Sequence, residues 1–424
     1  MRRGLGHRLR RQRLTLQGTE RHTFRWHMGF TLLDSAGAAI LANAPLMATK
    51  TLTAADWQLN IPLGLSCVGM IAALHLGAFM ADRPKKPFVV VPGLFYAAAS
   101  LGMAMIDTGW LFLLVYGLGA IFEVATRPAV AAIVRSNYAA DHRNHAMGRL
   151  RQCSAIVFLG VTMGSAWLLD RAGGHAADWV RAEMVLAGLL SLAAYLCFRR
   201  IRVQENLAAS PEVPRPAPAR SMVRLLGQDA PFRNYLIGFM AFAFFNLLYA
   251  ASVVWAFAAK DLGLSYLACS LLVQVIPSVA SSLLTGWLGA WTDRVGPWKA
   301  WGLIRAGWGL DPLLLVLAAV VPSLAALPLA VAARLSRGAV MGGSWVLSWQ
   351  TGVSCFAPPG GETARYMGVQ TFFNGLVRLG AAVASSLLLA VATRSTVLLV
   401  GGVGVLLSSL HAFHCARKLR TPST

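Results

Sequence analysis

An all-α membrane protein, with twelve transmembrane helices in two pseudo-symmetric bundles of six, is the fold this sequence predicts. Three observations predict it. Of 424 residues, 56% are hydrophobic and only 13% are charged, against about 25% charged in an ordinary soluble domain. The apolar residues fall in long, nearly charge-free blocks such as 88–106 and 379–393, and about 20 such residues in a helix cross a hydrocarbon core. The sequence also repeats itself: Gly77, Asp82, Arg83, Lys85 and Lys86 close one apolar run, and Gly289, Asp293, Arg294 and Lys299 close another about 211 residues later. Met147-Gly148 recurs as Met367-Gly368. Duplicated six-helix halves are an established plan for membrane proteins.

The elements follow in order. Residues 1–27 carry eight Arg and run straight into an apolar stretch; without a short apolar segment and a small-residue cleavage site, they read as a cytoplasmic tail rather than a cleavable signal. The first bundle, 28–198, holds predicted spans at 28–49, 58–80, 88–106, 110–134, 150–169 and 180–198. A linker at 199–233 follows, with four prolines within 211–218 and seven Arg, a composition that keeps a segment solvated. Within it, 221–230 has the pattern of a short amphipathic helix lying on the membrane surface. The second bundle, 234–415, holds spans at 234–258, 264–289, 300–321, 324–349, 366–390 and 395–415. A short tail, 416–424, ends the chain.

Charge sets the orientation. With Arg151 and Arg181, each at the edge of a span, counted with the adjoining connection, alternate connections and the two tails hold 28 of the 38 Lys and Arg, the other connections hold 5, and 5 lie deeper inside spans. The positive-inside rule then places both termini and the linker in the cytoplasm of a bacterial-type inner membrane. The net charge of +21 would suggest nucleic acid on a soluble protein; here the basic clusters flank spans, where they meet anionic lipid headgroups, and no nucleic-acid partner is expected. Six cysteines are scattered singly without a CxxC, so neither a disulfide framework nor a zinc site is expected. His75, His411 and His414 lie toward span ends and His142 and His145 in a connection, which leaves no metal site and no cofactor. No nucleophile–base arrangement stands at a plausible depth, so the chain is not expected to be an enzyme.

The paired motif resembles the signature of the major facilitator superfamily, which places Gly, three residues, Asp-Arg, one residue, Gly and then basic residues between the second and third spans. Asp293-Arg294-Val-Gly296, with Gly289 and Lys299, matches well; the first copy has Ala78 and Pro84-Lys85 where the pattern differs. The resemblance covers about 28–415. It implies a monomeric secondary transporter with Asp82, Arg83, Asp293 and Arg294 as a gating motif. Physically, an Asp at one helix end can accept from backbone N–H groups at the start of a neighbouring helix, latching the two halves in the outward-facing state. The Gly-Pro stretch of proton-coupled drug antiporters is absent, since 160–164 reads Gly-Val-Thr-Met-Gly, and drug efflux is not favoured.

Charges inside the spans carry the chemistry. Each costs about 2.5–3.5 kcal/mol near the bilayer centre even on lenient scales, so Asp34, Glu123, Arg127, Arg305, Asp311, Arg334, Arg337 and Arg378 must be paired, near an interface, or facing water. Depth places Asp34 opposite Arg127, with Glu123 one turn away on the same helix face. Asp34, Arg127 and Glu123 are therefore the leading constellation, with Glu123 and Asp34 as proton-coupling carboxylates; a structural ion pair is the alternative. Arg334 and Arg337, with Arg127, Asn246 and Tyr249, are the candidate substrate-binding residues. Asp311 lies at the depth of Arg334, and the competing account is that it neutralises that arginine. The expected function is secondary active transport of a small polar or anionic solute, coupled to protons by symport. The rival is a transporter-like membrane protein acting in assembly or sensing.

Overall fold

The computed structural model describes residues 18–80, 83–138, 140–203, 219–249, 251–295, 297–345 and 363–418. The described residues are helical almost throughout and contain no strand. In order, the helices are α1 (Gly18–Leu41), α2 (Ala44–Lys50), α3 (Ile61–Phe79), α4 (Pro87–Met103), α5 (Gly109–Asn137), α6 (Ala140–Ala172), α7 (Ala176–Arg199), α8 (Ala219–Gln228), α9 (Ala230–Leu248), α10 (Ala251–Ala256), α11 (Tyr266–Ser270), α12 (Ile276–Val295), α13 (Pro297–Val320), α14 (Ser323–Trp345), α15 (Thr363–Val391) and α16 (Arg394–Lys418). Helix occupies each place where the sequence predicts a span, and α8 stands where the amphipathic segment was expected.

Among the described residues, nine stretches are long and apolar enough to cross a membrane, and Pro87–Met103 is a shorter apolar helix. One of the nine, Ala146–Arg199, is 54 residues long and contains two predicted spans. It turns at Gly173, whose φ of +52° is open to glycine without steric cost.

The two halves pack by the same scheme. In the first, α1 lies against α6 and α7, and α4 and α3 against α5, with α4 also on α7. In the second, α9 lies against α15 and α16, and α13 and α12 against α14, with α13 also on α16. With little hydrophobic drive between helices in lipid, small residues allow the close approach that packing requires. At Gly93 on α4 the Tyr195 ring of α7 occupies the place where a Cβ would stand, and Gly404 on α16 receives Phe245 of α9 in the same way. Between halves, α3 packs on α15 and α6 on α11.

The bundle has a linker end, where α7 stops at Arg199 and α9 begins at Ala230, and an opposite end carrying residues 51–60, 172–176, 257–266 and 392–394. Local chemistry explains several helix ends. Asp229 accepts from Phe232 N–H at 2.9 Å to start α9, and Ser265 accepts from Ala268 N–H at 3.2 Å to start α11, each satisfying an orphan donor of the first turn. Two π-helical turns, Phe257–Asp261 and Leu271–Val275, flank α11.

Candidate functional site

Four charged residues, Asp34, Glu123, Arg127 and Arg378, lie within electrostatic range of at least one of the others. On α5, Arg127 clasps Glu123 one turn earlier, with Nη2 3.1 and 3.0 Å from the two carboxylate oxygens and Nε 3.2 Å from Oε1. These side chains are 63% and 35% exposed, although they sit within an apolar stretch running from Gly109 to Val134. Asp34 on α1 lies within electrostatic range of Glu123, Tyr96 and Tyr195. No hydrogen bond or ion pair joins it to Arg127, contrary to the depth-based expectation. Depth fixes position along a helix axis, whereas each residue step rotates the side chain by about 100° around it.

Arg378 on α15 stands within electrostatic range of Arg127, so two guanidinium groups from different halves approach each other. Among the described residues Arg378 has no carboxylate partner: Nη1 rests 3.8 Å from the Met70 sulfur, and Nε is buried without a hydrogen bond. Asn374, one turn before it, is buried with its Nδ2 unpartnered. The 370, 374, 378 spacing of Gln, Asn and Arg makes a polar stripe along one face of an apolar helix, a signal present in the sequence that depth reasoning passed over.

The second-half arginines are placed differently. Asp311 on α13 is fully buried and Arg334 on α14 is 2% exposed. Arg334 Nη1 lies 2.8 and 2.9 Å from the two Asp311 oxygens, and Arg337 Nη1 lies 3.1 Å from Oδ2. The Arg337 guanidinium also stacks over Trp308 at 4.5 Å and stands 5.9 Å from the Tyr249 ring centre. Tyr249 donates to the Trp308 carbonyl at 3.1 Å. Arg334, Arg337 and Tyr249 thus make their polar bonds within the second bundle, while the Oδ1 of Asn246 is buried without a partner.

Of the gating residues, Asp82 and the side chain of Asp293 lie outside the described residues. Arg83 stacks on Phe79 at 3.8 Å, and Arg294 is exposed.

A dense set of bonds joins the halves at the opposite end. Asp56 takes Lys260 Nζ at 2.6 Å and also Arg394, which holds Asp261 through Nε and Nη2 at 2.6 and 2.8 Å. Burial would raise the Asp56 pKa, but the bonds from Lys260 and Arg394 outweigh it and hold the group below the ordinary carboxylate value. Asp170 at the end of α6 accepts from the backbone N–H groups of Tyr266 and Leu267 at 2.6 and 2.9 Å. It places an anion at the first turn of α11, where the helix dipole favours one.

Further in, Asn43 donates to the Thr162 carbonyl and to Ser165, and accepts from Ser270 at 3.0 Å. Ser165 in turn donates to Glu183, a carboxylate only 4% exposed. Ser252 donates to Asn60, which donates to Ser385 at 2.8 Å. The sequence reading weighed the basic residues of this end only as topology; counting acids would have exposed the set, since Asp56, Asp107, Asp170, Asp178 and Asp261 all sit there.

The comparisons with known proteins agree with this architecture. A family model described as Major Facilitator Superfamily matches residues 28–382. Among solved structures, the nucleoside transporter NupG superposes with a TM-score of 0.66 at 13% identity, covering 95% of this chain and 100% of its own. The xylose transporter XylE from E. coli, in an inward open conformation, gives 0.65 at 14% identity, covering 92% and 94%. A bacterial homolog of the human lysosomal transporter Spinster gives 0.64 at 15% identity, covering 95% and 98%. No curated protein matches the sequence.

Proposed function

The chain belongs to the Major Facilitator Superfamily, and on that premise we propose that it is a secondary transporter moving a small anionic solute together with protons by alternating access. The observation that carries the reading is the Glu123–Arg127 pair, exposed in the middle of an apolar span and approached from the other half by Arg378. A charge at that depth is costly unless it faces water or a partner. A guanidinium fork there suits a carboxylate or phosphate, which it can bind through two parallel hydrogen bonds.

Glu123 occupies the fork in the absence of solute. A proton delivered to Glu123 neutralises that carboxylate and frees both Arg127 nitrogens, so proton and anion bind in the same step. Asp34, within electrostatic range of Glu123, is the second carboxylate through which the proton moves. Arg378 supplies the contact from the second half, so a bound anion draws the halves together. Arg334 and Arg337 hold Asp311 and give α13 and α14 a fixed relation, a structural part rather than contact with solute. With the linker end cytoplasmic, the bonds among Asp56, Lys260, Arg394 and Asp261, and those from the α11 backbone to Asp170, close the outer side, and the molecule faces inward.

A thermal-shift screen of the purified protein against carboxylates and phosphate esters identifies the solute. Arg127→Lys should weaken the response at least tenfold, because the charge remains but the fork is lost. In proteoliposomes, Glu123→Gln mimics the protonated state: exchange of solute should continue while accumulation driven by a proton gradient stops. Gradient-driven accumulation in Glu123→Gln would remove Glu123 from coupling. A response to neutral solutes that survives Arg127→Ala and Arg378→Ala would overturn the anionic assignment.

A further inference from the structure

We propose that the groove between the linker ends of α13 and α16 is a binding site for the headgroup of an anionic phospholipid. The groove has a volume of about 560 Å³ and is lined by Lys299, Leu410, Phe413, His414, Ala416 and Arg417. Lys299 lies in the first turn of α13, and the other five residues lie in the last three turns of α16. Three of the six side chains are basic or can become so, and none is acidic. Among the described residues, no hydrogen bond or carboxylate holds Lys299, His414 or Arg417. These three groups line an open space instead.

The surroundings extend the same sign. His411 lies one turn before His414 on α16 and interacts electrostatically with it and with Arg305 of α13. Arg305 is 1% exposed; Nη1 donates to the Ser408 carbonyl at 3.0 Å and the guanidinium stacks over Trp301 at 4.4 Å, while Nε and Nη2 have no hydrogen-bond partner. The one carboxylate on α13 and α16, Asp311, is already held by Arg334 and Arg337. The seam between these helices therefore carries Arg305 inside and Lys299 and Arg417 at the cavity, and Asp311 is the one carboxylate on either helix.

The occupant follows from what lies beside the cavity. Leu303 and Leu310 on α13 and Leu407 and Leu410 on α16 are 48%, 49%, 58% and 62% exposed, an apolar outer surface of two membrane-crossing helices. A soluble phosphate ester would fill the charged mouth and leave that surface to other molecules. A phospholipid satisfies both, with its phosphate at Lys299 and Arg417 and its acyl chains along the leucines. Basic pockets at the ends of transmembrane helices bind anionic headgroups in this manner. The site lies outside the space between the halves and is independent of the solute reading.

The test uses the purified full-length chain in zwitterionic detergent, titrated with phosphatidylglycerol, phosphatidylcholine or sn-glycerol 3-phosphate, and reads retained lipid by native mass spectrometry and melting temperature. Phosphatidylglycerol should be retained and should raise the melting temperature; phosphatidylcholine and the soluble ester should do neither. At about fivefold per basic side chain, Lys299→Ser with Arg417→Ser should lower phosphatidylglycerol affinity roughly 30-fold. Arg199→Ser, an exposed basic residue at the linker end of the other half, should leave it unchanged. Equal retention of both lipids, or undiminished retention by the double variant when its melting temperature without lipid matches the parent, would overturn the proposal. An equal response to sn-glycerol 3-phosphate would reassign the groove to a soluble anion.

Discussion

Asp311 is fully buried, and two guanidinium groups depend on it. Removing one partner of such a group leaves a charge in low dielectric, a loss of about 3–5 kcal/mol, whereas removing both is often close to neutral. Asp311→Asn should therefore lower the melting temperature sharply, and Asp311→Ala combined with Arg334→Ala should recover most of it. If the double variant melts no higher than the single, the pair is not what Asp311 stabilises. At this scale the sequence was legible where the relation is local. Glu123 and Arg127 are four apart on one helix, and that spacing alone puts them side by side. Asp34 and Arg127 are separated by 93 positions, and their relation turns on the rotation of two helices about their own axes. Apolar patterning sets that rotation only weakly in a chain that is apolar almost all round. The same limit left open whether Arg334 was free or engaged.

At the scale of the element, α1 and α2 occupy one predicted span that breaks at Asn43. The side chain there bonds α6 through Thr162 and Ser165 and α11 through Ser270. A fully buried amide with this set of partners contributes more than propensity does, and cutting it back to a methyl leaves donors and acceptors without partners. Asn43→Ala should destabilise the protein by about 1–3 kcal/mol and loosen the opposite end, read as faster amide exchange in α2 and α11. Unchanged exchange there would mean that water replaces the amide without loss. The positions of the helices were readable because each needs only a run of apolar residues between charge clusters. The break was not, because Asn43 is one polar residue in an apolar run, and its partners lie 119 to 227 positions away. The expected physics of a latch, an aspartate accepting from the first turn of a neighbouring helix, does occur in this molecule. Asp170 and α11 provide it, at the end away from the linker.

Across the whole molecule, the contacts between Asp56, Lys260, Arg394 and Asp261 tie one half to the other. Asp56 is held below its ordinary pKa by Lys260 and Arg394 against the effect of burial. A group with a depressed folded-state value contributes stability in full above its unfolded value, about pH 4, and loses it as pH falls through the folded value. Acid should therefore open this end, and Asp56→Asn should abolish that pH dependence. Arg394→Ala should shift the balance toward the open state by about 2 kcal/mol, read as increased labelling of cysteines introduced near residues 60 and 385 from the side of the membrane opposite the linker. Equal labelling in parent and variant would assign the closure to the hydroxyl and amide bonds further in. None of this seal could be read from spacing, since its members come from segments more than 130 positions apart and meet only once both bundles have formed. The π-helical turn at Leu271–Val275 has a consequence for inheritance as well as shape. Such a turn holds one residue more than an α-helical turn, so loss of a single codon there restores regular helix. The tip bearing Tyr266 and Ser270 would then swing by about 100° and retract by about 1.5 Å, away from Asp170 and Asn43. An in-frame deletion of three nucleotides, which spares every charged residue in the chain, would thus release α11 from its partners in the first half while leaving the rest of the bundle in register.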